Sequence, residues 1–192
     1  MISRDQANQS KFLQTWQILS SSKIFWITAF AILTSLSAQV AIPAKPVPFT
    51  LQTLLVLLSG ALLGSRNGAY SQFLYLLMGI VGLPVFAQIP DAPLGFSRII
   101  GPTGGYLLAF PIAAYLVGFL IEKRKNYWSI VASMFIGEIV IVFLGVIYLT
   151  ALYTNNFEEA LKVGAAIFSI WMVAKVFIAA SIFTGISGIN KK

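Results

Sequence analysis

Long apolar runs separated by short polar breaks dominate the chain, and they lie near 24–42, 50–65, 69–87, 104–121, 128–150 and 163–189. A helix needs roughly 20 residues to cross about 30 Å of hydrocarbon. The second run is short for that purpose and the last is long. No run alternates with the period of two that a membrane strand would show. Backbone groups in lipid need partners within their own segment, so the pattern predicts helices. The expectation is an all-α integral membrane protein, a compact bundle of six transmembrane helices within residues 24–189. The first run is long enough to span and reads as a span, not a leader.

The breaks carry their own signals. Pro43-Ala44-Lys45-Pro46-Val47-Pro48 must leave the helical conformation, since proline removes a donor and restricts its predecessor. Ser65-Arg66-Asn67-Gly68 predicts a tight turn. The connection from about Phe86 to Thr103 holds three prolines and two glycines. It is too long for a simple turn, which predicts that it folds over something. Residues 1–23 are polar and mixed. Phe12, Leu13, Trp16 and Leu19 recur near helical spacing, so a helix on the membrane surface and a plain tail are both open readings.

Composition narrows the class. The chain is 58% hydrophobic and only 10% charged, with a mean hydropathy of +0.85. Soluble domains carry roughly 25% charged residues. Absence of cysteine excludes disulfides and thiolate chemistry, and absence of histidine removes the commonest general base and metal ligand. No cofactor or metal is expected. The net charge of +7 is explained by placement. With a cytoplasmic N-terminus, Arg4, Lys11, Lys23, Arg66, Lys123, Arg124, Lys125, Lys191 and Lys192 fall inside, and only Lys45, Arg98 and Lys162 fall outside. That asymmetry puts both termini, including the basic tail 190–192, in the cytoplasm. It accounts for the charge with membrane lipid as the surroundings and no nucleic acid.

Two ionisable residues lie inside apolar runs: Lys175 in the sixth and Glu138 in the fifth. Such residues are costly at membrane depth and face the bundle interior or a cavity. One reading is a buried pair that joins two antiparallel helices. The other is a polar pocket in which Lys175 meets an anionic or carbonyl-bearing solute and Glu138 orients it. Gly101-Pro102-Thr103-Gly104-Gly105-Tyr106 opens the fourth helix, where small residues and free N–H groups suit a carbonyl or anion. Tyr106 reads as a ring-stacking group or an interface anchor. Arg98, just before it, reads as a carboxylate partner or a plain loop arginine. Small residues recur four apart on the first helix: Ala31 and Ser35, Thr34 and Ala38, Ser37 and Ala41. They suit close packing within the bundle or against another protein.

The run Pro46-Val47-Pro48-Phe49-Thr50-Leu51-Gln52-Thr53-Leu54 resembles the BioY family of biotin transporters. So do Leu58 to Ala69, Leu74 to Ala87 and Gly101 to Tyr106, in that order along the chain. The resemblance implies a substrate-binding (S) component of an energy-coupling factor transporter in a bacterial cytoplasmic membrane. Such a component captures biotin at the external face and works with a transmembrane coupling protein and two cytoplasmic ATPases. It further implies a ligand site at Lys175, Arg98, Gln52, Gly101, Thr103, Gly104 and Tyr106, to which Glu138 is added from its own place in an apolar run, and a coupling-protein contact at Ala31, Ser35 and Ala38. The sixth helix of the family usually carries a Gly-Asp-x-x-Lys pattern. Here the run reads Trp171-Met172-Val173-Ala174-Lys175, which keeps the lysine and puts Met172 in place of the acid; the start of that helix is also altered, at Ile167-Phe168. Glu138 is a candidate replacement for the missing carboxylate. Other expectations are a carrier of a different vitamin-like solute, an intramembrane acid–base enzyme, or a structural subunit. The chain has no phosphate-binding loop of the Gly-x-x-x-x-Gly-Lys-Ser/Thr kind, so ATP hydrolysis by that route is not expected of it, and neither is an enzyme.

Overall fold

The computed structural model describes residues 21–42, 47–88, 93–124, 126–164 and 169–188. The predicted surface segment around Phe12 to Leu19, the Pro43 to Pro46 stretch, Ile167-Phe168 and the basic tail 190–192 lie outside the described residues.

Helix α1, Lys23–Gln39, buries Phe30, Ala31, Thr34, Ser37 and Ala38, one face at helical spacing. Its other faces expose Ile24, Ile32, Leu33 and Leu36. An apolar helix with apolar residues on both faces suits lipid outside and protein inside. A departure from the all-helical expectation follows. Ala41–Ile42 (β1) and Phe49–Thr50 (β2) pair antiparallel, with Ala41 opposite Thr50 and Ile42 opposite Phe49. The prolines between them forbid a helix, and the extended flanks satisfy each other's backbone groups.

Helix α2, Gln52–Ile80, merges two of the predicted runs and is broken at Gly64, whose φ of 79° only glycine adopts readily. The two arms fold back on each other. Gln52 hydrogen-bonds Tyr75, and Gln72 Nε2 donates to Ser59 Oγ at 3.1 Å. The predicted reversal is present but displaced: it is made at Gly64, and Ser65 to Gly68 are helical, opening the second arm. The second arm stops at Ile80 and does not run to Ala87. Leu83 N–H bonds Met78 O at 3.1 Å and Gly82 takes a positive φ, which is how a helix ends on a glycine. Residues Val85 to Ala87 are apolar yet lie in a loop.

Helix α3, Phe96–Ile100, is a short element inside the long connection. It leads into α4, Gly104–Lys123. Helix α5, Tyr127–Leu149, is capped by Asn126, which accepts from Ser129 N–H at 2.7 Å. It runs into a π-helical turn, Thr150–Thr154, that ends at the left-handed Asn155. Helix α6, Phe157–Gly164, starts on Asn156, whose Oδ1 accepts from Glu158 N–H at 3.0 Å. Helix α7 is Ser169–Ser187. The predicted sixth run therefore contains the end of α6 and the whole of α7, and the described residues hold seven α-helices.

Among the described residues, three helices are long and apolar enough to cross a membrane: Gly104–Lys123, Tyr127–Thr154 with its π-helical extension, and Ile170–Ser187. Lys23–Gln39 is apolar but shorter. One core cluster joins Tyr75, Phe86, Tyr106, Phe110 and Ile141. A second joins Leu57, Val117, Met134, Val176 and Phe183. Helix α4 begins beside α3 and ends beside the Gly64 reversal, where Glu122 Oε1 accepts from Ser65 N–H at 2.8 Å. The ends of the bundle are thereby distinguished: Arg66 and Lys123 belong to one, Arg98 to the other.

Candidate functional site

A cleft opens at the α3 end, between the first turn of α2, the loop at Phe86-Ala87, α3 and the start of α4. Val47, Phe86, Leu107, Phe110 and Ile141 give it apolar walls, and Gln52, Thr53, Arg98, Thr103 and Tyr106 give it polar points. The predicted folding of the long connection over something is observed, since it supplies Phe86, Ala87 and Arg98.

Arg98 is only 5% exposed, which is unusual for a cation unless it is paired. One guanidinium N–H donates to Ala87 O at 2.7 Å, and other donors of the fork are available to the cleft. Burial lowers its pKa from the ordinary arginine value, with the Tyr75 phenol opposing that shift. A guanidinium stays charged even so. Gln52 accepts from Thr50 Oγ1 at 2.9 Å and donates to the Tyr75 hydroxyl, which fixes its amide at the cleft wall. Tyr75 in turn packs edge-on to Phe86, with ring centroids 5.5 Å apart. Thr103 Oγ1 is buried without a hydrogen-bond partner among the described residues, a group that a ligand would satisfy.

Gly101 and Gly104 are not cleft walls. Gly101 closes α3, its N–H bonding Ser97 O at 3.1 Å, and Gly104 N–H is spent on Gly101 O at 2.8 Å. That N–H is therefore not free for a ligand. The glycines act by shape: a side-chain carbon on Gly104 would collide with Ile99 O and lie 3.2 Å from Tyr148. Their smallness lets α3, α4 and α5 meet, which places Thr103 and Tyr106.

Lys175 and Glu138 do come together, but beneath the cleft and not in its wall. They are 2% and 0% exposed, with Lys175 Nζ 3.4 Å from Glu138 Oε1. Thr53 joins them: its hydroxyl donates to Glu138 Oε1 at 2.5 Å and accepts from Lys175 Nζ. Sequence reasoning did not single out Thr53, because a threonine in an apolar helix attracts no notice. Its one signal was its place beside Gln52, where the helix starts. Met172 packs against the cluster of Tyr75, Tyr106, Phe110 and Ile141. On α1, Ala31 and Ala38 are fully buried inside the bundle, where their size lets the helices approach; they present no surface to a partner. Ser35 is half-buried and donates to Ala31 O at 2.8 Å.

Comparison with known proteins decides the family. The BioY family profile matches residues 8–192. A protein named biotin transporter BioY from Thermotoga maritima is 38% identical over 153 residues, covering 80% of this chain and 88% of that one. The chain belongs to the BioY family. A probable biotin transporter BioY from Pyrococcus horikoshii is 32% identical over 170 residues, covering 88% of this chain and 99% of that protein. The BioY fold is matched by a crystal structure of the S-component for biotin from an ECF-type ABC transporter. Its TM-score is 0.79 at 21% identity, over 98% of this chain and 95% of that one. With three candidate spans and relatives named as transporters, this BioY chain is a multi-pass membrane protein.

Proposed function

We propose that this chain is a biotin-binding membrane subunit. It captures biotin in the cleft and hands it on for ATP-driven import by a transmembrane coupling protein and two cytoplasmic ATPases. The carrying observation is the buried Arg98 guanidinium opening into an apolar-walled cleft. Biotin has an apolar ring, a ureido group that donates and accepts, and a carboxylate tail. A cation, an amide and hydroxyls in an otherwise apolar cleft answer those needs. The named roles of the relatives support the same substrate and a carrier role without catalysis.

In this reading the six spans are α1, the two arms of α2, α4, α5 and α7. The cleft faces outward from a bacterial cell membrane and both termini are cytoplasmic. Support comes from the basic residues, since Arg66 and Lys123 share the end opposite the cleft. The surface of α1 that meets the coupling protein consists of Ser35 and its exposed neighbours Ile32 and Leu36, with Ala31 and Ala38 setting the helix from behind.

Thermal melting of the purified protein tests the substrate. Biotin at a hundredfold excess over its dissociation constant should stabilise the fold by about 2.7 kcal/mol. A folded protein whose melting temperature ignores biotin overturns the proposal. The cleft also depends on how α3 is held. Tyr148 donates to Ile99 O at 3.0 Å and to Ile100 O at 3.2 Å, and Tyr153 also donates to Ile100 O. Replacing both by phenylalanine should weaken biotin binding by about threefold to tenfold through looser placement of Arg98. An equilibrium titration that finds unchanged affinity would show that the clasp is dispensable.

A further inference from the structure

Thr53 stands where the cleft meets the buried ion pair. The residue lines the cleft, and its hydroxyl links Lys175 to Glu138. A hydroxyl has one proton and two lone pairs. The proton goes to Glu138 Oε1 at 2.5 Å. One lone pair receives an N–H of Lys175. Glu138 Oε2 has no hydrogen-bond partner among the described residues. Diverting the Thr53 proton would leave the buried carboxylate without its one hydroxyl donor, and burial penalises that. The proton is thus held away from the cleft, and a single lone pair remains. Thr53 meets a ligand as an acceptor only.

The other polar groups of the cleft differ. Arg98 only donates. Thr50 and Gln52 bond each other, Gln52 Oε1 accepting from Thr50 Oγ1 at 2.9 Å and keeping one lone pair, and neither hydrogen-bonds a charged group among the described residues. Thr103 has no partner to fix its hydroxyl. We infer that Thr53 is the specificity-determining acceptor for an N–H of the bound ligand. Glu138 and Lys175 are positioning residues that hold it in that state. The inference rests on the biotin reading and assigns Thr53 to a ureido N–H.

The test is equilibrium binding of biotin and of its two ureido N-methyl derivatives to the purified chain and its variants. The wild-type protein should prefer biotin to at least one derivative by about tenfold, the worth of one hydrogen bond. Thr53→Val should bind biotin about tenfold more weakly and lose that preference, while Thr53→Ser keeps both. Glu138→Gln gives a second readout. Its amide N–H can donate to Thr53, which frees the Thr53 proton, so the preference should shrink with Thr53 still present. Melting curves without ligand separate these effects from misfolding. A preference that survives in Thr53→Val, or is unchanged in Glu138→Gln, overturns the assignment and leaves biotin as substrate. A wild-type chain that binds no biotin overturns the biotin reading and this assignment with it.

Discussion

Glu138→Ala should destabilise the bundle by about 3–5 kcal/mol, the range for removing one partner of a buried ion pair. Lys175 would be left as a cation at 2% exposure without its carboxylate, the Thr53 hydroxyl being among the contacts it keeps. An ammonium at membrane depth is expensive, and the cost falls on the folded state because unfolding in detergent lets the charge reach water. The melting temperature should drop by on the order of 10 °C. Adding Met172→Asp should recover most of the loss. Residue 172 precedes Lys175 by three on α7, so both project from the same face, and the aspartate restores a carboxylate within reach. Equal melting temperatures for Glu138→Ala and its Met172→Asp double variant would refute the idea that Glu138 replaces the carboxylate missing from α7. A Glu138→Ala protein as stable as wild type would refute the ion pair's structural weight.

How much of this was legible depends on which force wrote each feature. Lipid rewards unbroken apolar runs, so the spanning helices stand out. The reversal at Gly64 announced itself through Ser65-Arg66-Asn67-Gly68, polar residues between apolar arms. The end of α2 did not, because Val85, Phe86 and Ala87 are as apolar as any span. Phe86 and Ala87 wall the cleft and Val85 joins the core around Tyr75, and hydropathy does not distinguish that use from immersion in lipid. The α6–α7 boundary was hidden in the same way. In the site, charge in an apolar run betrayed Glu138 and Lys175, and their proximity followed from antiparallel spans. Their partner Thr53 lies 122 residues from Lys175 in sequence, and only the packing of three segments brings it between them. Arg98 was visible as a residue but not as buried, since its burial comes from the loop folding back.

Gly118→Ala should cost more than about 3 kcal/mol, whereas Gly185→Ala should be neutral or stabilise slightly. The difference lies in what the added methyl meets. Gly118 on α4 faces the Gly64 reversal, and a side-chain carbon there would fall on Ser65 N and lie 2.7 Å from Gly60 O. Gly60 in turn abuts Ala114 O, and Gly68 has Gly60 Cα at 2.7 Å from where its own methyl would sit. All these obstacles are backbone atoms, which have no alternative rotamer, so relief requires that whole helices move apart. The methyl carries no polar cost, so the loss comes from packing alone. At Gly185, on α7, nothing lies within 4 Å, and alanine is the better helix former by about 1 kcal/mol. Melting curves of the two variants in detergent give the comparison. Matching curves would mean that α4 and the α2 hairpin do not need their glycine contact. A large gap would show that α4 and the α2 hairpin are locked backbone to backbone at the end of the bundle opposite the cleft, as Gly104 against Ile99 O locks α4 at the cleft end.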